Sequence, residues 1–323
     1  MKKSPKELEN RINEEVGKII VGKSSRIKLI TAAILSQGHV LLDDLPGVGK
    51  TTLVKSLAKA LGCDSKRIQF TPDMLPSDIT GMNIYDRSSG TFKRLKGPVM
   101  TNLLLADELN RAIPRTQSAL LEAMEERQVT IDGATEKLPE PFVVLATQNP
   151  VESESTFRLP AAQMDRFLMC LSLGYPTKEE EAEMLKVAGG ELPFDSIETV
   201  TDPEELCETE AYIQENVKVS DSVMEYIVEL VAATRDNKAL KLGASPRATR
   251  ALFRASKSLA AINGRDYVIP DDVHELACPV LCHRFILSSK ASIEGKTAFT
   301  VMDDILETVP VPPRTRELFN GEK

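Results

Sequence analysis

The stretch from His39 to Thr52 constrains the fold of this chain more than any other. It starts with a short apolar run, which predicts a buried strand, and passes through Gly47 and Gly49 before a helix-like segment that begins at Thr51. A strand, a glycine-rich turn, a Lys-Thr pair and a helix form a phosphate-binding loop, because the glycines let several backbone N–H groups point to one centre. The sequence therefore predicts an α/β domain that holds a nucleotide.

The positions of this loop have separate predicted tasks. Lys50 can reach the β- and γ-phosphates, and the Thr51 hydroxyl can ligate Mg²⁺. The residues expected to bind the nucleotide here are Pro46, Gly47, Val48, Gly49, Lys50, Thr51 and Thr52. The loop departs from the usual pattern at Asp44, where a glycine normally stands. We expect this difference to affect the loop conformation; a glycine-rich turn with an incidental Lys-Thr pair is the alternative interpretation.

Composition narrows the class of protein. A length of 323 residues suggests about two domains, and the net charge of −8 offers no global basic surface for nucleic acid. No apolar run approaches the roughly 20 residues that cross a bilayer, and the first residues lack the apolar segment of a signal peptide. We therefore expect a cytoplasmic protein with five reduced cysteines. Cys278, Cys282 and His283 lie close together, but no second ligand pair completes a zinc site.

Two later apolar runs end in polar side chains that belong beside the phosphate loop. The run 103–106 leads into Asp107 and Glu108, and the run 142–146 leads to Asn149. Ligands bind beyond the carboxyl ends of parallel strands, so these groups are expected at the nucleotide. Asp107 can hold Mg²⁺ through its water shell, and Glu108 can polarise the attacking water. Asn149 could hydrogen-bond that water or the γ-phosphate; a solvated acidic loop and a turn-forming asparagine are the alternatives.

The remaining pattern predicts two hairpin insertions and a second, helical domain. Segments 81–95 and 128–138 alternate in polarity around turns, which indicates hairpins. A short helix is predicted over residues 159–166. Strand patterns end before residue 180, and helical patterns follow, including a helix predicted over residues 270–287. We therefore predict an α/β nucleotide-binding domain with both hairpins at residues 1–190 and a helical domain at residues 191–323.

Two further places have alternatives that local sequence leaves open. The turn at Val21 and Gly22 could wall an adenine base, or Gly22 could simply end a helix. Arg247 lies near the start of a predicted helix of the second domain, where it could contact the γ-phosphate. An ordinary exposed helical arginine is the alternative for Arg247.

Taken together, the motifs resemble those of the AAA+ ATPases, and in particular the MoxR branch of that family. The matching segments are 45–51, 107–112, 146–150, 159–167 and 244–247. The resemblance extends from about residue 15 to residue 310, nearly the whole chain. It implies an α/β P-loop domain with a parallel-sheet core and helices on both faces, plus a smaller all-α C-terminal lid domain.

The resemblance also implies roles for single residues and for the assembly. Asn149 would be sensor 1, Arg247 sensor 2, and Arg166 a finger that reaches the ATP of a neighbouring subunit. An ion pair with a nearby acid such as Asp165 is the alternative for Arg166. Family members hydrolyse ATP with Mg²⁺ as rings, expected to be hexamers, whose pore the hairpins line. They act on protein clients as chaperone-like ATPases, usually with a partner that carries a von Willebrand factor A domain.

Three other functions share part of this pattern. A nucleic-acid motor would use similar hairpins, but only the basic segment 93–96 supports it, and a solvated hairpin edge explains that segment equally well. A metal-chelatase-type subunit shares the same core. A small-molecule kinase would need a second substrate pocket and would have no use for Arg166, Arg247 or the hairpins.

Overall fold

A computed structural model gives the fold for residues 4–44, 47–148, 157–188 and 194–313. Within them the chain forms eleven β-strands, a count that covers only these ranges. The strands are β1 Val40–Asp43, β2 Ser65–Gln69, β3 Gly81–Asp86, β4 Thr91–Lys96, β5 Leu103–Asp107, β6 Gln128–Ile131, β7 Ala134–Lys137, β8 Val143–Gln148, β9 Met169–Leu171, β10 Leu240–Leu242 and β11 Ile286–Leu287.

Helices surround these strands and dominate the second half of the chain. They are α1 Pro5–Gly17, α2 Ser24–Ile34, α3 Lys50–Ala60, α4 Pro76–Thr80, α5 Pro114–Glu126, α6 Ala161–Met164, α7 Lys178–Ala188, α8 Pro203–Asn216, α9 Asp221–Asp236, α10 Pro246–Ile262, α11 Pro270–Leu281, α12 Ser289–Ile293 and α13 Ala298–Thr308. Short 3-10 turns occur at Leu109–Arg111, Phe194–Ser196 and Cys282–Arg284. None of the helices within the described ranges combines the length and the apolar character that crossing a membrane requires.

A five-stranded parallel sheet organises the first domain, with the strand order β2-β5-β8-β1-β9. Alternate residues of its apolar strands enter two separate cores. Leu42 and Leu105 pack into the core on one face, and Leu41 and Leu104 pack into the core on the other. Burial on both faces explains why these strands read as continuous apolar runs. The predicted sheet with helices on both faces is therefore confirmed.

The long helix α10 forms the centre of the helical part. One face of α10 is buried, including Ala248, Leu252 and Leu259 at helical spacing. Helices α1 and α2 from the start of the chain also pack against α10. The division of the chain at residue 190 stays a prediction.

Two boundaries in the predicted elements differ from the structure. The helix predicted from Pro270 to Leu287 ends at Leu281, and β11 pairs with β10 as a short antiparallel ribbon. The prediction that strands end before residue 180 is therefore wrong for this ribbon. The helix predicted from Leu159 to Arg166 is limited to α6. Both errors occur in short segments, where tertiary pairing outweighs local propensity.

Both hairpin insertions are present, and polar side chains join them. The first hairpin pairs β3 with β4, and the second pairs β6 with β7. The Lys96 ammonium lies 2.8 Å from the Glu136 carboxylate, and the Arg94 guanidinium lies 3.2 Å from the same group. Asn83 Nδ2 donates to Asp132 Oδ2 at 2.8 Å. These contacts hold the two insertions together as one unit.

Candidate active site

A cavity of about 380 Å³ lies beyond the carboxyl ends of the central strands. Because β1, β5 and β8 are parallel, their C-terminal ends deliver polar groups to this same edge. The cavity is lined by Gly47, Gly49, Lys50, Thr51, Thr52, Arg67, Gln69, Asp107, Glu108, Thr147 and Gln148. The structure thus brings the predicted phosphate loop and the two predicted acids together.

The backbone conformation of the phosphate loop requires glycine at positions 47 and 49. Gly47 and Gly49 have φ angles of 86° and 84°, the left-handed region that L side chains rarely adopt. A Cβ at either position would meet no atom within 4 Å, so the requirement comes from the backbone and not from crowding. Helix α3 begins directly after Gly49, at Lys50. Its N-terminal N–H groups and positive dipole end therefore face the cavity, which suits phosphate oxygens.

Asp44, the departure from the usual loop pattern, is a buried anchor. Its side-chain oxygens accept hydrogen bonds from Ser172 Oγ at 2.7 Å, Leu173 N at 2.7 Å and Gly174 N at 3.1 Å. Its carbonyl oxygen accepts from Lys50 Nζ at 2.9 Å. Asp44 therefore fixes the start of the phosphate loop to the segment that leaves β9.

The two acids at the end of β5 share a threonine. Thr147 Oγ1 donates to Asp107 Oδ1 at 2.7 Å and accepts from the Glu108 backbone N–H at 2.8 Å. Glu108 has a φ angle of 57°, a left-handed conformation that strains a residue with a side chain. The chain therefore turns sharply at Glu108, and Thr147 holds the turn.

Residues of β2, which sequence reasoning did not single out, hold the carboxylates. Arg67 Nη2 lies 2.7 Å from Asp107 Oδ2, and Gln69 Nε2 donates to Glu108 Oε2 at 2.7 Å. Arg111 Nη1 also lies 3.1 Å from Glu108 Oε2. Arg67 and Gln69 are two apart, so they project to one face of the strand. That alternation on a strand beside β5 was the available sequence signal.

The donor set fits Mg²⁺ bound together with a nucleotide. No group of three or more potential metal-binding side chains exists among the residues described. Mg²⁺ does not need one, because it commonly takes one or two carboxylates and completes its shell with water and substrate phosphates. Asp107 and Thr51 both line the cavity. The Asp107 carboxylate also contacts the Arg67 guanidinium, so a positive charge is accommodated beside it. Asp107 and Thr51 would hold the ion.

Three of the predicted nucleotide contacts, Val21, Gly22 and Val48, do not line this cavity. Val48 packs against the hydrophobic core instead of lining the cavity. Val21 and Gly22 do not line it either, and Gly22 lies against the side chain of Glu180. The adenine wall therefore stays a prediction. Pro46 and Asn149 lie outside the described residues.

A second cavity, of about 430 Å³, is rich in arginine. The charged residues that line it are Arg127, Arg166, Arg247, Arg250, Arg254, Arg284, Glu125 and Asp165. Asp165 is engaged by Arg284, whose Nε lies 2.7 Å from Asp165 Oδ1, and by the Ser245 hydroxyl at 2.8 Å. The alternative prediction for Arg166, an ion pair with a nearby acid, is found in the structure, but the acid is Glu125 and not Asp165.

Arg166 and Arg247 instead share Glu125. Arg166 Nε lies 2.9 Å from Glu125 Oε2, and Arg247 Nη2 lies 2.5 Å from Glu125 Oε1. The hydrogen bond from Arg247 and the positive charges of both arginines hold the pKa of Glu125 below its usual value despite partial burial. The structure thus brings the two predicted arginines together, and it joins residues that are remote in sequence.

This arginine cluster and the phosphate loop lie at opposite ends of the strands. The cluster lies at the N-terminal ends and the loop lies at the C-terminal ends. Arg166 precedes β9, whose first residue Met169 pairs with Val40, the first residue of β1. The phosphate loop follows the last residue of β1, Asp43. The four residues of β1 separate these two ends by roughly 10 Å, and the loop adds further distance. The two cavities share no lining residue.

Comparisons with known proteins agree with this geometry. The sequence profile of the ATPase family associated with various cellular activities (AAA) matches residues 39–169, and that of the AAA lid domain matches residues 232–305. Chaperone MoxR1 of Mycobacterium tuberculosis is 42% identical, over 92% of this chain and 81% of that protein. This chain belongs to the MoxR family of AAA+ ATPases.

Other MoxR-family relatives match over similar lengths. Protein MoxR of Methylorubrum extorquens is 32% identical over 94% of both chains. The uncharacterized protein YeaC of Bacillus subtilis is 49% identical over 93% of both chains. The crystal structure of an ATPase candidate from Cytophaga hutchinsonii superposes with a TM-score of 0.88 at 42% identity, covering 95% of this chain and 96% of that one.

Proposed function

We propose that this MoxR-type ATPase hydrolyses Mg²⁺-bound ATP as a ring oligomer and uses the reaction to remodel protein complexes. Lys50 and the N-terminal N–H groups of α3 bind the phosphates, and Thr51 and Asp107 hold the ion. Glu108 accepts a hydrogen bond from the attacking water and so makes the water more nucleophilic. The gathering of these groups at one cavity supports the catalytic part of the proposal.

The position of the two arginines carries the proposal of a ring. Arg166 and Arg247 both contact Glu125, at the N-terminal ends of the strands, away from the phosphate loop of the same chain. Neither side chain can span the roughly 10 Å of β1 and the loop beyond it. An arginine that acts on the γ-phosphate from this position must therefore act on a neighbouring chain, and both arginines would serve the same neighbour.

Subunit mixing tests this arrangement. Glu108→Gln should bind ATP and hydrolyse it at least about 10²-fold more slowly, because an amide cannot polarise water as a carboxylate does. Arg166→Ala should also be inactive, since a finger supplied in trans contributes about 10³–10⁵ in turnover. In an equal random mixture about a quarter of the interfaces join an intact Glu108 to an intact Arg166, so part of the activity should return. A mixture as inactive as its components, although mixed rings are shown to form, would refute the trans role.

A second mixture separates the two possible actions of Arg247. If Arg247 serves the neighbour, as Arg166 does, then a mixture of Arg166→Ala with Arg247→Ala contains no complete interface and stays inactive. If Arg247 serves its own chain, the same mixture contains complete sites and regains activity. Mixing Arg247→Ala with Glu108→Gln is the matched positive control, and it should recover activity only in the trans arrangement.

Protein clients are the favoured substrates of the remodelling step. The tip of the first hairpin exposes Tyr85 and Phe92, whose rings pack edge to face at 5.3 Å, and Phe92 is 72% exposed. Exposed aromatic groups on an insertion suit contact with an unfolded or loosely packed polypeptide. The relative named Chaperone MoxR1 agrees with this choice. A hexamer, a partner with a von Willebrand factor A domain and a cytoplasmic location complete the proposal.

Trapping with the hydrolysis-deficient variant tests the client class. Glu108→Gln, supplied with ATP, should retain client proteins and any von Willebrand factor A partner during purification, whereas Lys50→Ala should not. Retention of nucleic acid, with ATPase activity that DNA or RNA stimulates and salt suppresses, would instead favour a nucleic-acid motor. Activity that depends on a metal–porphyrin reaction would favour a chelatase-type subunit.

A further inference from the structure

Within the part of the chain that the structure describes, Glu125 is the one acid that contacts both Arg166 and Arg247. It lies in the last turn of α5, and each of its two carboxylate oxygens faces a different arginine. The other acid of the cavity, Asp165, is engaged by Arg284 and Ser245. Glu125 therefore determines where the Arg166 and Arg247 guanidinium groups lie relative to each other.

Within the described parts of the chain, the contacts of Arg166 and Arg247 with Glu125 leave other nitrogen donors of both side chains available. Arg166 uses its Nε for Glu125, so its two terminal nitrogens can still donate. Arg247 uses Nη2, so its Nε and Nη1 can still donate. A phosphoryl group of a neighbouring chain could thus be bound by both side chains without breaking either contact to Glu125. A carboxylate between two cations also reduces their mutual repulsion.

We infer that Glu125 is a positioning residue that presents Arg166 and Arg247 as one preorganised pair to the nucleotide of a neighbouring chain. This inference rests on the proposed function, because it assigns a task to the same trans site. Preorganised cations stabilise developing charge without reorganising during the reaction. Glu125 does not line the phosphate-loop cavity of its own chain, so its loss should act through the arginines.

The inference predicts a split between turnover and nucleotide affinity. Glu125→Ala should lower kcat by between about 10-fold and 100-fold, the range expected when catalytic groups are misplaced by about 1 Å. KM for ATP should change by less than about threefold, because the phosphate loop of the other chain supplies most of the binding. Glu125→Gln should lie between wild type and Glu125→Ala, since its amide oxygen can still accept from one arginine.

A neighbouring acid on the same helix provides the matched control. Glu122 lies one turn earlier on α5, is exposed and does not line the arginine-rich cavity. Glu122→Gln makes the same chemical change and should leave kcat and KM at wild-type values. Thermal unfolding of all variants should match wild type closely, because an ion pair that is open to solvent contributes little to stability. A large loss of stability in both Glu125 variants, with no change in kcat, would overturn the positioning role.

The opposite kinetic result also has a clear meaning. If the Glu125 carboxylate competed with the phosphate for the arginines, its removal would free them and kcat would rise. A rise in kcat for Glu125→Ala and Glu125→Gln would therefore overturn the inference. Unchanged kcat in both variants would do the same.

Mixing and double substitution separate this inference from the proposal on which it rests. Glu125→Ala mixed with Glu108→Gln should regain activity, because Glu125 is needed only on the chain that supplies the arginines. Adding Glu125→Ala to Arg166→Ala should lower kcat by less than it does in wild type, since part of its task is already lost. If Arg166→Ala complements Glu108→Gln but Glu125→Ala has wild-type kcat, only the role of Glu125 is overturned. If Arg166→Ala fails to complement, the trans arrangement itself is refuted, and the role of Glu125 with it.

Discussion

Replacing Asp44 with glycine would give the phosphate loop its usual pattern, and we predict that this change destabilises the protein. The Asp44 side chain is buried, and it accepts hydrogen bonds from the Leu173 and Gly174 backbone N–H groups and from the Ser172 hydroxyl. Glycine provides no acceptor. The two backbone donors would be left without partners beside a buried segment, which is costly because water cannot fully replace the carboxylate.

The size of the effect follows from these bonds. A hydrogen bond to a charged acceptor contributes about 1.5–3 kcal/mol, and only the two backbone bonds are counted because Ser172 is exposed and can turn to water. Removing a buried carboxylate also relieves its desolvation, so the low end of the range applies. Asp44→Gly should therefore lower the free energy of unfolding by about 3 kcal/mol. For unfolding of the whole 323-residue chain as one unit, the corresponding decrease in Tm is about 4–5 °C.

Urea unfolding and thermal melting measure this effect, and the neighbouring acid supplies the control. Asp44→Asn keeps one acceptor oxygen and should lose about half as much stability. Burial raises the pKa of Asp43, and one of its buried oxygens has no partner among the described residues. Asp43→Asn should thus leave stability unchanged or increase it. Unfolding of Asp44→Gly within about 0.5 kcal/mol of wild type, the usual scatter of neutral surface changes, would refute the anchoring role.

Two further predictions concern binding and pH. Lys50→Ala removes one charged hydrogen-bond donor to the phosphates, so calorimetry should show ATP affinity lowered by about 10- to 150-fold; a change below threefold would contradict the assignment. Burial lowers the pKa of His39 to about 3, whereas the unfolded chain binds this proton near pH 6.5. Stability should therefore fall as pH decreases through 6.5, and at pH 5.5 protonation of His39 in the unfolded chain should have removed about 1.4 kcal/mol relative to mildly alkaline pH. Urea unfolding of His39→Gln should show that part of the acid sensitivity removed, and equal sensitivity would contradict it.

Local sequence was sufficient for the sheet and for half of the site. The apolar strands carry side chains into two cores, as Leu104 and Leu105 do, so their runs are continuous and easy to recognise. The phosphate loop has a left-handed backbone at Gly47 and Gly49, and glycine is the residue that adopts this conformation most easily, so the sequence shows it directly. Asp107 and Glu108 follow a buried strand, and strand order places them at the loop.

The supporting residues could not be predicted, because their partners are remote in the chain. Glu125 and Arg247 are 122 positions apart, and only the packing of α10 near the end of α5 brings them together. Asp44 looked like a departure from a motif, but its partners lie 128 to 130 positions later. Arg67 is 40 positions from Asp107 and reaches it through strand pairing. Each of these contacts depends on tertiary structure. The alternation on β2 places Arg67 on one face of the strand, but it does not identify Asp107 as the partner.

Helix α5 connects the two functional ends of the protomer. Its N-terminal part is tied to the segment after Glu108, because Gln117 Nε2 donates to the carbonyl oxygens of Leu109 at 3.3 Å and Ala112 at 3.0 Å. Its C-terminal turn carries Glu125, which holds the arginine pair. Thirteen helical residues span about 18–20 Å and form a stiff rod. A displacement at Glu108 would therefore be passed along α5 toward Glu125. In a ring of the proposed kind, α5 would link a chain's own catalytic Glu108 to the arginines that it offers to its neighbour.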